Sequence, residues 1–218
     1  MARKAVIGNY DTAAKGWTLC AYALDPPAWR ENLVEVPGMD GAIDLSACPA
    51  GDVAYSPRAL SITLERSDGT RTTREAAISA MVNALDGATV DITPPDGTEY
   101  RLRGRVRVAP QYSDLAHTQV IVSATCDPWR RKAAPTVVSG TVPELGTLSL
   151  SLPNERRPVV PTVEVSAAAT LTFGGKDIAV AAGSHRSLDI RLAAGSNTLA
   201  VTAATGTTVS VTYQEASL

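Results

Sequence analysis

At 218 residues the chain is long enough for one large or two small domains, since a typical domain takes ~150 residues. Hydrophobic residues make up 44% and charged residues 19%, and 20 basic against 22 acidic side chains leave a net charge of −2. That balance excludes a disordered chain and gives no global electrostatic reason to bind nucleic acid or an anionic membrane. With one Phe and an aromatic share of 5%, the core must be filled by Ala, Val and Thr, which points to a mainly β protein.

In chain order, residues 16–24 and 33–36 read as weak strands. Residues 59–65 alternate strictly, with Leu60, Ile62 and Leu64 on one face. Thr72-Thr-Arg-Glu75 fits a capping box and starts a helix over about 73–86. Ile78, Met81, Val82 and Leu85 form its apolar face, and Gly87 ends it. Residues 89–93, the turn Pro94-Pro-Asp-Gly97 and residues 98–108 read as strand, turn, strand. Residues 117–126 form another strand, stopped by Asp127-Pro128.

Charge density then changes. Residues 1–132 hold 31 of the 42 charged side chains and every Trp, Cys and Met. The stretch 132–141 is small, marked by Pro and Gly, and nearly uncharged, so a domain boundary is expected near Ala133, dividing 1–132 from 133–218. The second part offers about seven strands, over 147–152, 159–165, 170–173, 178–180, 187–192, 198–201 and 208–213. Short strands separated by Gly174-Gly175, Ala182-Gly183 and Gly195-Ser-Asn197, with no helix, argue for an antiparallel β-sandwich.

Signals of chemistry are sparse. No apolar run reaches the ~18 residues of a membrane span, and the first ten residues lack the apolar block of a secretory signal. Cys20, Cys48 and Cys126 are odd in number without a CxxC pair, which reads as free thiols made in a reducing cytoplasm. The sequence lacks the GxSxG, HExxH, P-loop and GxGxxG patterns, so neither catalytic residues nor cofactors or metals are assigned. His117 and His185 fall in different predicted domains, each without a second ligand at i+3 or i+4. Asp40 and Asp44 read as a turn stabilised by its own carboxylate rather than a cation loop. A sugar-binding cleft wants aromatic platforms, and the second part has only Phe173 and Tyr213 to offer.

One feature stands apart. Arg101, Arg103, Arg105 and Arg107 fall on one face of a strand, with Leu102, Val106 and Val108 on the other. The stripe spans roughly 20 Å at ~3.3 Å per residue. It is either a phosphate-binding row or, the preferred reading, a charged face paired with acids on a neighbouring strand or subunit. Glu65, Asp68, Asp91 and Glu99 are the nearby acids, and no aromatic residues interleave for base stacking.

The order of elements also resembles a known family. Val36-Pro-Gly-Met-Asp-Gly41, Asp44-Leu45, Tyr55-Ser-Pro-Arg58, Leu85-Asp-Gly87, Tyr100-Arg-Leu-Arg-Gly-Arg-Val106 and Ser123-Ala-Thr-Cys-Asp-Pro-Trp129 together resemble the N-terminal domain of siphophage distal tail proteins, the Dit family. Pro158-Val-Val-Pro161, Leu192-Ala-Ala-Gly-Ser-Asn-Thr-Leu199 and Thr212-Tyr213 resemble that family's galectin-like C-terminal domain. The resemblance implies an N-terminal β-sandwich or split-barrel-like ring domain with one helix, followed by an antiparallel β-sandwich. It implies a structural, non-enzymatic protein of a phage or prophage tail tip. The implied assembly is a homohexameric ring between the tail tube and the tail-associated hub or lysin protein, with outward domains that mount receptor-binding or side-fibre proteins. The implied location is the virion, after synthesis in the host bacterial cytoplasm, with no membrane or sequence-specific nucleic acid as partner. Alternatives are a carbohydrate-binding adhesion module and another minor tail or tail-tube subunit. Within the family reading, the arginine stripe is expected at or near a ring or tube contact.

Overall fold

Strict alternation at residues 59–65 becomes a strand one place in from the edge of the first sheet. The computed structural model describes residues 4–47, 53–111 and 118–218. The chain divides into two compact units, Met1–Arg130 with Leu218, and Arg131–Ser217.

The first unit runs β1 (Val6–Ile7), β2 (Tyr10–Asp11), β3 (Thr18–Leu24), β4 (Leu33–Glu35), β5 (Ala42–Asp44), β6 (Arg58–Arg66), α1 (Arg71–Leu85), β7 (Thr89–Thr93), β8 (Tyr100–Gln111) and β9 (Thr118–Cys126). Seven of these strands lie in one sheet in the order β2-β1-β7-β8-β9-β6-β3, while β4 and β5 form a separate hairpin. Period-2 alternation sends Leu60, Ile62 and Leu64 of β6, Leu102 and Val106 of β8, and Val120 and Val122 of β9 to one buried face. Ile78, Met81 and Leu85 of α1 pack into the same core, with Val82 at its margin. Each fully buried aliphatic contributes roughly 1.5–3 kcal/mol.

The helix begins earlier than the capping-box spacing suggests. Thr70, not Thr72, is the N-cap, and its hydroxyl accepts from the Thr73 amide at 3.2 Å. Several hydroxyls compete for this role, and the turn at Gly69 delivers Thr70 to the position where an orphan amide needs it. Glu75 therefore lies a full turn into the helix, where it does not close a capping box.

The second unit is built from β10 (Arg130–Lys132), whose first residue belongs to the first unit, then β11 (Thr136–Thr141), β12 (Thr147–Asn154), β13 (Thr162–Val165), β14 (Ala169–Phe173), β15 (Lys176–Val180), β16 (Gly183–His185), β17 (Gly195–Ala203), β18 (Thr208–Tyr213) and β19 (Ala216–Ser217). Two four-stranded sheets, β11-β18-β13-β16 and β12-β17-β14-β15, enclose a core of Leu152, Leu171, Leu199, Val163 and Val211. Paired strands in both sheets are antiparallel. The mainly β class with one helix is the class read from the sequence.

Two local expectations fail for physical reasons. Residues 136–141, absent from the expected strands, form one, paired with β18 from Thr136 opposite Tyr213 to Thr141 opposite Thr208. Their small size answers crowding: a Cβ on Gly140 would sit 3.0 Å from Leu148 and 3.2 Å from Leu150. Residues 187–191 form no strand but turn at Leu188 and Asp189, and Leu192 makes only an isolated antiparallel bridge with Val159. The Ser187 carbonyl accepts from the Ile190 amide and its hydroxyl from the Asp189 amide, while Ile190 and Leu192 anchor the segment in the core. Anchors two residues apart imitate strand alternation without a ladder. His117 and Cys48 lie outside the described residues.

Candidate assembly surface

The arginine stripe sits on the outward face of β8. Arg101, Arg103, Arg105 and Arg107 are exposed, while Leu102, Val106 and Val108 point inward. Side chains two residues apart on a strand stand ~7 Å apart, so neighbouring guanidinium groups repel by roughly 0.6 kcal/mol in water. Of the acids expected to neutralise the row, Asp91 of β7 does so, its Oδ1 3.3 Å from Arg103 Nη1. Asp68 is instead held by Arg66 at 2.6 and 3.0 Å, and Glu65 accepts from the Cys20 thiol. Among the described residues, Arg101, Arg105 and Arg107 form no ion pair. The face around them is low in relief: Ser123 and Thr125 of β9 lie beside Arg107 and Arg105, and Ser61 and Ala59 of β6 lie beyond.

A second surface carries no sequence signal as clear. Between β3 and β6 the chain leaves the sheet as an arm. Its root is fixed by Arg30 donating to Ala54 and Ser56 donating to Ala28, both at 2.7 Å, around the Trp29–Tyr55 bridge. Buried Arg58 braces this root, donating from Nε to the Asp25 carbonyl at 2.8 Å and from Nη1 to the Pro128 carbonyl at 3.3 Å. Burial, and then the neighbouring Arg130, pull the Arg58 pKa below its ordinary value. Tyr55 meets Trp129 edge to face at 5.5 Å. Thus Tyr55, Arg58, Pro128 and Trp129, all in motifs that carry the family resemblance, are the residues that hold the arm in place.

Beyond the root, β4 and β5 pair with Leu33 opposite Asp44, Val34 opposite Ile43 and Glu35 opposite Ala42. The connecting turn follows from Val36-Pro-Gly-Met39: Pro37 presets one turn position, Gly38 takes φ 85°, and the Met39 amide closes on the Val36 carbonyl at 3.1 Å. Opposite pairing puts Glu35 and Asp44, with Leu33 and Ala42 beside them, on one face of the hairpin, and Val34 with Ile43 on the other. The Asp44 carboxylate accepts from the Ser46 amide at 2.8 Å, as an Asx-stabilised turn requires. The Ser46 side chain and amide hold the Asp44 carboxyl below the ordinary carboxylate pKa. None of this hairpin is buried. Trp29 is 61% exposed, Leu33 55%, Met39 46% and Ile43 42%, and most exposed large hydrophobics among the described residues fall within 29–53. Apolar residues gathered on one exposed element mark an interaction surface rather than scattered surface chance.

The other candidate residues have structural partners. His185 bonds through Nε2 with the Ala181 carbonyl at 2.7 Å. Tyr213 is buried and donates to the Pro153 carbonyl, and Phe173 packs against the second core. The outer face of β11, β18 and β13 carries a recess of about 430 Å³ lined by Ser139, Glu164, Ser166, Thr208 and Ser210, so hydroxyls rather than aromatic rings form its walls. Among the described cysteines, Cys20 is exposed, Cys126 is buried, and both are free.

The fold, a helix-bearing β unit followed by a two-sheet β unit, has a solved counterpart. It is shared with the crystal structure of the SPP1 phage Dit protein, a paradigm of the hub adsorption apparatus in phages that infect Gram-positive bacteria. The likeness has a TM-score of 0.70 at 14% identity and covers 99% of both chains. A structure of the phage p2 baseplate in its activated conformation aligns over 96% of this chain and 97% of its own, at a TM-score of 0.44 and 6% identity. No protein-family model and no curated protein matches the sequence.

Proposed function

We propose that this chain is a structural protein of a phage tail tip, a distal-tail hub subunit that works by protein–protein contact and not by catalysis. Six copies form a ring that joins the tail tube to the tail-associated hub protein, and the second unit mounts receptor-binding or side-fibre proteins. The protein is made in the host bacterial cytoplasm and ends in the virion tail tip. The observation that carries this reading is the arm: a braced hairpin with Leu33, Met39 and Ile43 left in solvent, in a chain with an ample core elsewhere. An apolar element of this kind gains its free energy only when a partner covers it. The fold match over the full length of the SPP1 Dit protein supports the same role. A ring needs faces that meet head to tail, and two distinct exposed surfaces, stripe and arm, are present in the first unit.

The test is a mass measurement of the purified full chain across a concentration series. The expected result is a discrete species of six times 22.7 kDa that grows with concentration. A monomer at every concentration overturns the self-assembling ring.

A further inference from the structure

A head-to-tail contact joins two different faces of the same chain, so each face must complement the other. We propose that the acidic face of the β4–β5 hairpin of one copy docks on the arginine stripe of β8 in the next copy. The proposal rests on the ring reading above and names the contact within it.

Charge carries the first part of the argument. The hairpin, residues 33–45, contains Glu35, Asp40 and Asp44 and no basic residue, a net charge of −3. Residues 100–111 contain the four arginines and no acid, a net of +4. The hairpin and the stripe are therefore opposite in charge, −3 against +4. They do not neutralise each other within one copy: among the described residues no ion pair joins the hairpin to the stripe.

Spacing carries the second part. Glu35 lies opposite Ala42, two residues from Asp44, so the two carboxylates are diagonal neighbours on the hairpin at ~7–8 Å. Alternate arginines on β8 repeat at ~7 Å. A hairpin laid along the stripe thus brings each carboxylate over a guanidinium at the same repeat, in reach of bidentate pairing. The Ser61, Ser123 and Thr125 side chains beside the stripe are short enough to let a hairpin lie flat. The apolar face with Val34 and Ile43 then points away from the stripe and faces the rest of the assembly.

The test uses three full-length variants read by native mass spectrometry at the wild-type assembly midpoint. These are Arg105→Glu/Arg107→Glu, Glu35→Lys/Asp44→Lys, and the four substitutions combined. Each pair alone places like charges in contact, and the assembled fraction is expected to fall at least tenfold; the combined chain is expected to recover to within threefold of wild type. Circular dichroism melts check folding. If the lysine pair melts early, Glu35→Gln/Asp44→Asn keeps the turn at Ser46 and is expected to lower assembly at least threefold. Assembly that is indifferent to both pairs, or lost by both without recovery in the combined chain, overturns the contact and leaves the ring reading standing. A wild-type chain that stays monomeric overturns both.

Discussion

Leu102 and Ile43 are both strand aliphatics of the first unit, yet Leu102 is fully buried on β8 and Ile43 is 42% exposed on β5. The difference separates two uses of apolar surface. Leu102 stabilises the folded unit by leaving water during folding, together with Ile62, Val106 and Val122. Ile43 remains in water after folding is complete, so on the proposed reading its hydrophobic free energy is left for association. Strand β8 shows the same division within one element, a buried aliphatic face opposite an exposed row of arginines. On the proposed reading the first unit thus has one surface for folding and another for assembly, and the two can be perturbed separately.

The sharpest way to break this comparison is to truncate one residue of each kind. Leu102→Ala is expected to cost ~2–5 kcal/mol in a urea melt. Ile43→Ala is expected to stay within ~0.5 kcal/mol of wild type in the same melt, because it touches no core, while lowering the assembled fraction by mass measurement. Equal losses in the melt would mean that the hairpin belongs to the folding unit. A second test sharpens the folding side. Burial pushes the Cys126 thiol up to about 11 from its ordinary value of 9.0, against the lowering effect of Arg58. The unfolded thiol ionises first, so the folded state binds more protons between those values and stability falls as pH rises. The loss is expected to be on the order of 2 kcal/mol from about pH 9 to 11, measured as the difference between wild type and Cys126→Ala. The smallest effect concerns the helix that lines the core. Thr70→Ala is expected to cost ~1 kcal/mol and Thr72→Ala under ~0.5 kcal/mol, read by thermal melts, because only Thr70 caps the helix.

Much of the folding surface was legible in the sequence, because a sheet that buries one face imposes a period of two on residues 59–65, 101–108 and 118–126. The stripe was legible for the same reason. The start of the helix was not, since Thr70, Thr72 and Thr73 offer the same hydroxyl and only the turn at Gly69 decides among them. The segment 187–192 deceived because Ile190 and Leu192 reach the core from beside a turn and from a single bridge to Val159. The arm was the least legible part. Its apolar and acidic residues interleave as they would in a half-buried strand, and nothing local distinguishes a face covered by the same chain from one covered by a partner. What the sequence did hold was the root, in Tyr55, Arg58, Pro128 and Trp129, whose contacts explain why those residue types stand at those positions.

The central claim is that the hairpin serves assembly and not folding, and removing it is the direct test. The Leu45 amide donates to the Asn32 carbonyl at 2.8 Å, so the base of the hairpin closes on itself. Replacing residues 34–43 by an Asn-Gly turn keeps the Leu33–Asp44 pair and deletes the exposed tip. The account predicts a chain with the wild-type melting transition that remains a monomer at concentrations where wild type forms the ring. A shortened chain that still assembles to the same species, or one that no longer folds, contradicts it.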